Sequence, residues 1–423
     1  MKMTVNRGGW VWLPEIHPSS PYRRLHMTHH NKKDQCKYIS KKARDISPSG
    51  IRKYFDLLSS MDGAISLGVG EPDFVTPWPM REAGITAIEK GFTMYTSNRG
   101  IPELREAIAR YHTKFYNLTY DPKSEVLVTT GSSEALDLAF RAIIDPGDEV
   151  IMSDPHYVAY PVCVSLAGGV PVPVPTYEKN NFELMPADIR KKLTRKTKAI
   201  LLSFPSNPTG AVMHKKLLLE IAKIATERDL LVVSDEIYAR LTYDMEHTCM
   251  AGLPGMRDRT ILIGGFSKAF AMTGWRVGFT LANPEITEAM LKVHQYTMMC
   301  APIMGQLAAL EALKDSNNQE VEDMLAEYDR RRHVIVKGFR DLGLSCFEPK
   351  GAFYAFPNIT STGMTSEKFA EELLTEEKVA VVPGSVFGKC GEGYVRCCYA
   401  TSMPEIEEAL KRIRKFLARR RRK

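Results

Sequence analysis

No stretch of about 18 consecutive apolar residues occurs in this 423-residue chain, which excludes an ordinary transmembrane helix. Near the N-terminus there is no apolar segment leading to a small-residue cleavage site, so a secretory signal is not expected. The eight cysteines (Cys36, Cys163, Cys249, Cys300, Cys346, Cys390, Cys397, Cys398) contain no C-x-x-C pair and no zinc-like spacing. Reduced thiols in an intracellular, cytoplasmic protein without a metal site are their simplest account. Repeats and low-complexity segments are missing, apart from a basic end. The net charge of +7 is concentrated in Arg419 to Lys423, and the rest is near neutral. Neither a nucleic-acid partner nor a membrane is therefore expected, and this tail reads as a frayed, solvated end.

What is present is ordinary for a globular protein: 44% apolar and 25% charged residues leave no reason to propose disorder. The length exceeds one small core, so one large or two medium domains are expected. Residues 1–37, rich in Gly, Pro, Trp and His, show no periodicity and read as a disordered extension, with His29-His30 as tail rather than metal site. Residues 38–75 form an N-terminal segment associated with a smaller domain. Within it Ser47 or Ser49 is a plausible cap for a helix from Ile51 to about Ser60, and a strand begins at Ile65. Helices are expected from Pro79 to Lys90 and from Pro102 to Tyr116.

From Glu125 apolar runs alternate with helical patterns. Val126–Thr129, Val150–Met152, Val170–Val174, Ala199–Phe204, Leu230–Val233, Ile261–Ile263 and Val277–Leu281 read as strands. Glu134–Ile143 and Lys215–Arg228 read as helices between them. Continuous apolar strands joined by helices predict an α/β fold with a mostly parallel seven-stranded sheet covered on both faces. This large domain spans 76–305. Long helices (Gln306–Leu313, Gln319–Leu342, Pro404–Leu417) and short strands then predict a smaller α+β domain over 306–417, with the tail at 418–423.

The chemistry concentrates at Gly265-Phe266-Ser267-Lys268, at the end of one apolar strand. Burial depresses an amine's pKa, and a neutral lysine can attack a carbonyl and hold it as an imine. Arg276, eight residues on, supplies a fixed charge suited to phosphate. Thr130-Gly131-Ser132-Ser133 opens a helix, where free N–H groups and the helix dipole favour an anion. Asp235 stands at a buried strand end, either as a helix N-cap or as the partner of a cation. Asn207, in Ser206-Asn207-Pro208-Thr209-Gly210, can be turn chemistry alone. A phosphate-holding arginine beside an imine-forming lysine suggests pyridoxal 5'-phosphate.

Taken together, the S-K-x-x-x-x-x-G-x-R-x-G pattern and the order Gly-Ser-Ser, Asn207, Asp235, Tyr238, Lys268, Arg276 resemble the class I/II, fold-type I aminotransferases. The resemblance covers roughly Ile65 to Arg396. It implies that Lys268 is the imine-forming catalytic base and Asp235 the partner of the pyridine nitrogen. Tyr238 and Asn207 would bond the phenolic oxygen, and Ser132, Ser133 and Arg276 would cradle the phosphate. Tyr157 would stack on the ring. Tyr95 would reach the phosphate in a neighbouring subunit, implying a homodimer. Gly70, Asn207 and Arg396 would receive the substrate α-carboxylate. Read without the family, Tyr95 and Tyr157 are ordinary core tyrosines.

The implied reaction is ping-pong transfer of an amino group from an L-amino acid (an aspartate, aromatic or alanine-like donor) to a 2-oxo acid such as 2-oxoglutarate. A pyridoxal-phosphate lyase (a C–S β-lyase or an aminocyclopropane carboxylate synthase-like enzyme) is the alternative. A non-catalytic regulatory protein on the same fold is a remoter one. Ser132 and Ser133 stand where some aspartate-specific relatives carry a cation, which weakens an aspartate-only reading. Arg99 could meet a side-chain carboxylate, with a surface role as the competing expectation.

Overall fold

Each of the seven apolar runs becomes a strand of one sheet, and the side-chain alternation explains why the runs are continuous. The computed structural model describes residues 2–6, 9–13, 38–48, 50–51, 61–315 and 318–421. These fall into two compact units, residues 1–47 and 48–423.

In the first unit, β1 (Lys2–Asn6) pairs antiparallel with β2 (Gly9–Leu13), Lys2 opposite Leu13. The sequence expectation places no regular element there; runs of Val, Thr and Trp favour extended backbone. A short helix, Lys41–Asp45, is capped by Ser40, whose hydroxyl accepts the Ala43 N–H at 3.2 Å. The expectation for His29-His30 lies outside the described residues.

In the second unit, β3 (Ile65–Ser66) precedes the large sheet. That sheet comprises β4 (Val126–Thr129), β5 (Glu149–Asp154), β6 (Val170–Pro175), β7 (Thr197–Ser203), β8 (Leu231–Asp235), β9 (Thr260–Gly265) and β10 (Gly278–Leu281). Its order is β4-β10-β9-β8-β7-β5-β6, and β10 runs antiparallel to both neighbours. Successive residues feed opposite cores: Val150, Leu201 and Val233 join one cluster, while Ile151, Ile200 and Val232 join the other. A strand covered by helices on both faces must be apolar at every position.

Beyond the sheet, short strands β11 (Tyr354–Ala355), β12 (Val379–Ala380), β13 (Val382–Pro383) and β14 (Val395–Cys398) follow. β14 lies between β11 and β13, and β12 pairs in parallel with β3, so the segment before residue 75 joins the C-terminal strands.

Several boundaries differ from the sequence expectation. The helix expected from Glu134 begins at Gly131 and runs to Ile143. Helices at Ala159–Ala167, Pro186–Lys192, Pro284–Thr297 and Ser366–Glu377 were not anticipated. The first of them is apolar nearly all round and lacks a readable stripe. Of the helix expected over Ile51–Ser60, residues 52–60 and the candidate cap Ser49 lie outside the described residues.

The tail is the clearest correction. The last helix runs Met403–Arg421 rather than fraying at 418, because its arginines meet glutamates of the Ser366–Glu377 helix. Arg419 bonds Glu376 at 2.8 Å, and Arg420 bonds Glu376 at 2.6 Å and also Glu372. The Arg420 guanidinium lies 3.5 Å from the centroid of Phe416.

Candidate active site

In open α/β sheets ligands bind beyond the carboxyl ends of the strands. A cavity of about 500 Å³ opens at that edge, and it gathers ten of the eleven residues to which the resemblance gives a role: Gly70, Ser132, Ser133, Tyr157, Asn207, Asp235, Tyr238, Lys268, Arg276 and Arg396. The exception is Tyr95. It is 81% exposed and lies on a separate surface groove with Met94 and residues 300–304.

Lys268 follows β9, and its Nζ donates to the Gly70 carbonyl at 2.7 Å. Desolvation depresses the amine to about 8. Arg276 belongs to the same loop, which returns to β10 at Gly278, the register partner of Gly265. Arg276 adopts a left-handed backbone (φ 54°) and donates to Thr273 O at 3.2 Å. Its guanidinium rests against Gly131, at the start of the Gly131–Ile143 helix. The Thr130 side chain does not cap that helix, and Glu134 Oε2 accepts only the Thr130 N–H that precedes its first turn. Ser132 Oγ donates to Gly264 O at 2.9 Å, tying the turn to β9. Uncapped N–H groups, a helix dipole and a guanidinium together make an anion site.

Asp235 ends β8 and is 8% exposed. Burial pushes its carboxyl up to about 6, against the hydrogen bonds it accepts. Those bonds come from Ile237 N–H at 3.2 Å and Tyr160 at 2.8 Å. A turn, not a helix, follows at 237–240, so the N-cap reading gives way to a carboxylate that folds over its own turn. Among the described residues no cationic side chain is bonded to it. A buried carboxylate in that condition suits a cationic ligand atom.

Arg396, on β14, is 2% exposed. It donates from Nη1 to Asn207 Oδ1 at 2.9 Å and from Nη2 to Gly68 O at 2.6 Å. Its guanidinium lies 4.6 Å from the Tyr354 ring centroid and 4.9 Å from that of Phe387. Its Nε is buried and has no partner among the described residues. A guanidinium held by neutral groups keeps its charge available for a carboxylate. Arg99 is placed elsewhere, paired with Glu288 at 2.5 Å.

The sequence reading missed Tyr160 and Tyr354. Tyr354 lines the cavity, and its hydroxyl lies 2.8 Å from that of Tyr238. A Cβ at Gly70 would meet this hydroxyl at 2.5 Å, so only glycine lets the backbone pass there. The available signal was faint: a tyrosine three residues beyond Tyr157, and another inside the aromatic run Phe353-Tyr354-Ala355-Phe356.

Comparison with known proteins gives a match to the family described as "Aminotransferase class I and II" over residues 62–413. YugH of Bacillus subtilis is 57% identical over 380 residues, covering 90% of this chain and 98% of that protein. An aspartate aminotransferase of Pyrococcus abyssi is 49% identical, over 88% of this chain and 96% of its own length. Among solved structures, an aromatic aminotransferase from Pyrococcus horikoshii superposes with a TM-score of 0.84 at 46% identity, covering 88% of this chain and 99% of that one.

Proposed function

The chain belongs to the class I and II aminotransferases, pyridoxal-phosphate-dependent enzymes, and from that membership we propose how its cavity residues divide the work of amino-group transfer. The observation that carries the proposal is the meeting, in one cavity, of a lysine with a depressed amine, a buried aspartate and two arginines. The residues fit pyridoxal 5'-phosphate. The uncapped turn under Arg276 suits its phosphate, and Asp235 lacks the cation that its ring nitrogen would supply.

When bound, that cofactor supplies a carbonyl for the amino group and a ring that withdraws electrons from the substrate α-carbon. Ser132, Ser133 and Arg276 hold the phosphate. Asn207 and Tyr238 bond the phenolic oxygen, and Tyr157 covers the ring face. Asp235 holds a proton on the ring nitrogen. Arg396, with Asn207 and Gly70, orients the substrate α-carboxylate through a planar, multi-donor contact. Lys268 would hold the cofactor covalently at rest and, as a free amine, would carry a proton at Nζ from the substrate α-carbon to the cofactor's carbonyl carbon.

Two half-reactions in sequence are the scheme these residues support, with 2-oxoglutarate as acceptor. Aspartate, aromatic and alanine-like amino acids are the donor classes to test. Ile51, Val69 and Leu136 line the cavity, and its lining cations, among the described residues, are Lys268, Arg276 and Arg396. The protein acts as a homodimer in which Tyr95 reaches the neighbouring phosphate site. In support, Phe92, Met94, Tyr95, Tyr296 and Met298 are all exposed. The cytoplasm is the proposed location; the seven described cysteines are all free thiols, and no described helix is long and apolar enough to cross a membrane.

A panel of amino donors with 2-oxoglutarate tests the scheme. Single amino acids alone should stop at one turnover per site, whereas continuous product release without an oxo acid would point to a lyase. Lys268→Ala should abolish both turnover and the visible absorption of bound cofactor. Retention of either would sink the assignment of that lysine.

A further inference from the structure

No motif points to Tyr160, yet it joins three of the elements that build the cavity edge. It sits in the first turn of the Ala159–Ala167 helix, 3% exposed. Its Oη lies 2.8 Å from Asp235 Oδ2 and 2.6 Å from Ser203 Oγ. Ser203 and Asp235 are register partners at the ends of β7 and β8. The phenol has one proton, and an ionised carboxylate can only accept, so Tyr160 donates to Asp235 and accepts from Ser203. On its other side the Tyr160 ring meets Tyr157 edge-on, with centroids 5.5 Å apart and planes at 82°.

Two constraints follow. Asp235 Oδ1 takes the Ile237 N–H and Oδ2 takes the Tyr160 hydroxyl, so rotation of the carboxylate would break both bonds. The neighbouring Glu236 cannot substitute, because its oxygens are already engaged by His247, Ser234 and Met250. The ring contact meanwhile limits the tilt of Tyr157, since edge-to-face geometry is directional.

We propose that Tyr160 is a positioning residue: its hydroxyl orients the Asp235 carboxylate and its ring sets the Tyr157 plane, so that one side chain fixes both the nitrogen edge and the face of the bound pyridine ring. This rests on the assignments of Asp235 and Tyr157 made above. The titratable groups around Asp235 are Tyr160 and Tyr157 from one segment, Glu236 beside it in sequence, and Lys268 from the loop after β9. Of these, Tyr160 alone donates a hydrogen bond to it. A hydrogen bond to the charged form favours ionisation, so its loss moves the carboxyl further up.

The test compares wild type, Tyr160→Phe and Tyr160→Leu by absorbance titration with pyridoxal 5'-phosphate, across pH, with thermal midpoints of the cofactor-free proteins measured alongside. Tyr160→Phe should weaken cofactor binding by about tenfold, the scale of a lost bond to a charged group. It should also move the acid limb of binding to higher pH, with the amino-acid KM changed by less than about threefold. Tyr160→Leu should lose more, because Tyr157 is then unsupported as well. If Tyr160→Phe binds cofactor as wild type does at every pH, the proposal fails, whatever the thermal midpoint does. Should neither variant fold, Ser203→Ala leaves Tyr160 in place and removes its donor; a smaller loss of affinity supports the proposal and none overturns it. Wild type that takes up no cofactor would overturn the underlying assignment instead.

Discussion

The guanidinium of Arg276 lies so close to Gly131 that a Cβ built on the glycine would meet Nη2 at 2.5 Å. Gly131 also has φ +77°, a region where side chains are strained. Gly131→Ala therefore acts twice: it strains the turn and displaces the charge above it. Cofactor affinity should fall by roughly 10- to 100-fold, as for a lost charge-assisted contact. Far-UV circular dichroism should stay unchanged while absorbance titration reports the loss.

Lys268 and Asp235 are held away from their ordinary ionisation, and this should be visible as stability. Desolvation lowers the lysine from 10.5 to about 8. Between those values the unfolded chain carries a proton that the folded chain lacks, so stability rises with pH across that window. For Asp235, raised from 3.8 to about 6, the folded chain holds the extra proton, and stability falls as pH rises from about 4 to 6. At pH 7 both groups are charged and both cost stability. In the cofactor-free protein Lys268→Met should add about 1–3 kcal/mol at pH 7, discounted for partial exposure, and the gain should shrink toward pH 10. Urea denaturation at several pH values checks this; a gain that is constant with pH would contradict it.

Arg396 offers a separation of binding from cofactor retention. Arg396→Lys keeps the charge but not the planar fork, and lysine cannot reproduce bonds to Asn207 and Gly68 while still presenting donors to a carboxylate. We expect the amino-acid KM to rise roughly 10- to 100-fold, with cofactor affinity within about threefold of wild type. Steady-state kinetics beside a cofactor titration decides it. A defect confined to cofactor retention would remove the carboxylate role.

The C-terminal arginines predict a salt-sensitive contribution to stability. Arg420 joins Glu372, Glu376 and the Phe416 ring, a small network rather than a lone surface pair. Arg420→Ala should lower the thermal midpoint by about 2 °C at low ionic strength and less at high salt. A shift that is the same at both ionic strengths would mean that packing against Phe416, not charge, is responsible.

Much of this was legible in the chain because burial on both faces writes strands as continuous apolar runs, and because strand ends carry the polar exceptions. Asp235, Lys268 and Arg276 stood out as charges at the edges of such runs. Tyr160 and Tyr354 did not. A tyrosine beside apolar residues reads as core, and only the three-dimensional meeting of its hydroxyl with Asp235 or Tyr238 separates it from one. The basic tail misled for a related reason. A run of consecutive basic residues looks solvated until, at Arg419 and Arg420, the glutamates of a helix more than forty residues earlier come alongside.

One strand running against the others has a further result. Because β10 returns antiparallel to β9, the loop carrying Lys268 and Arg276 is pinned at both ends, Gly265 facing Gly278. Amine and guanidinium are thus two marks on a single closed segment, and their separation is set by its length. An insertion or deletion within residues 266–277 would shift one mark against the other while leaving every strand intact. The loop works as a gauge, and its length fixes how far apart amine and guanidinium stand at this edge of the sheet.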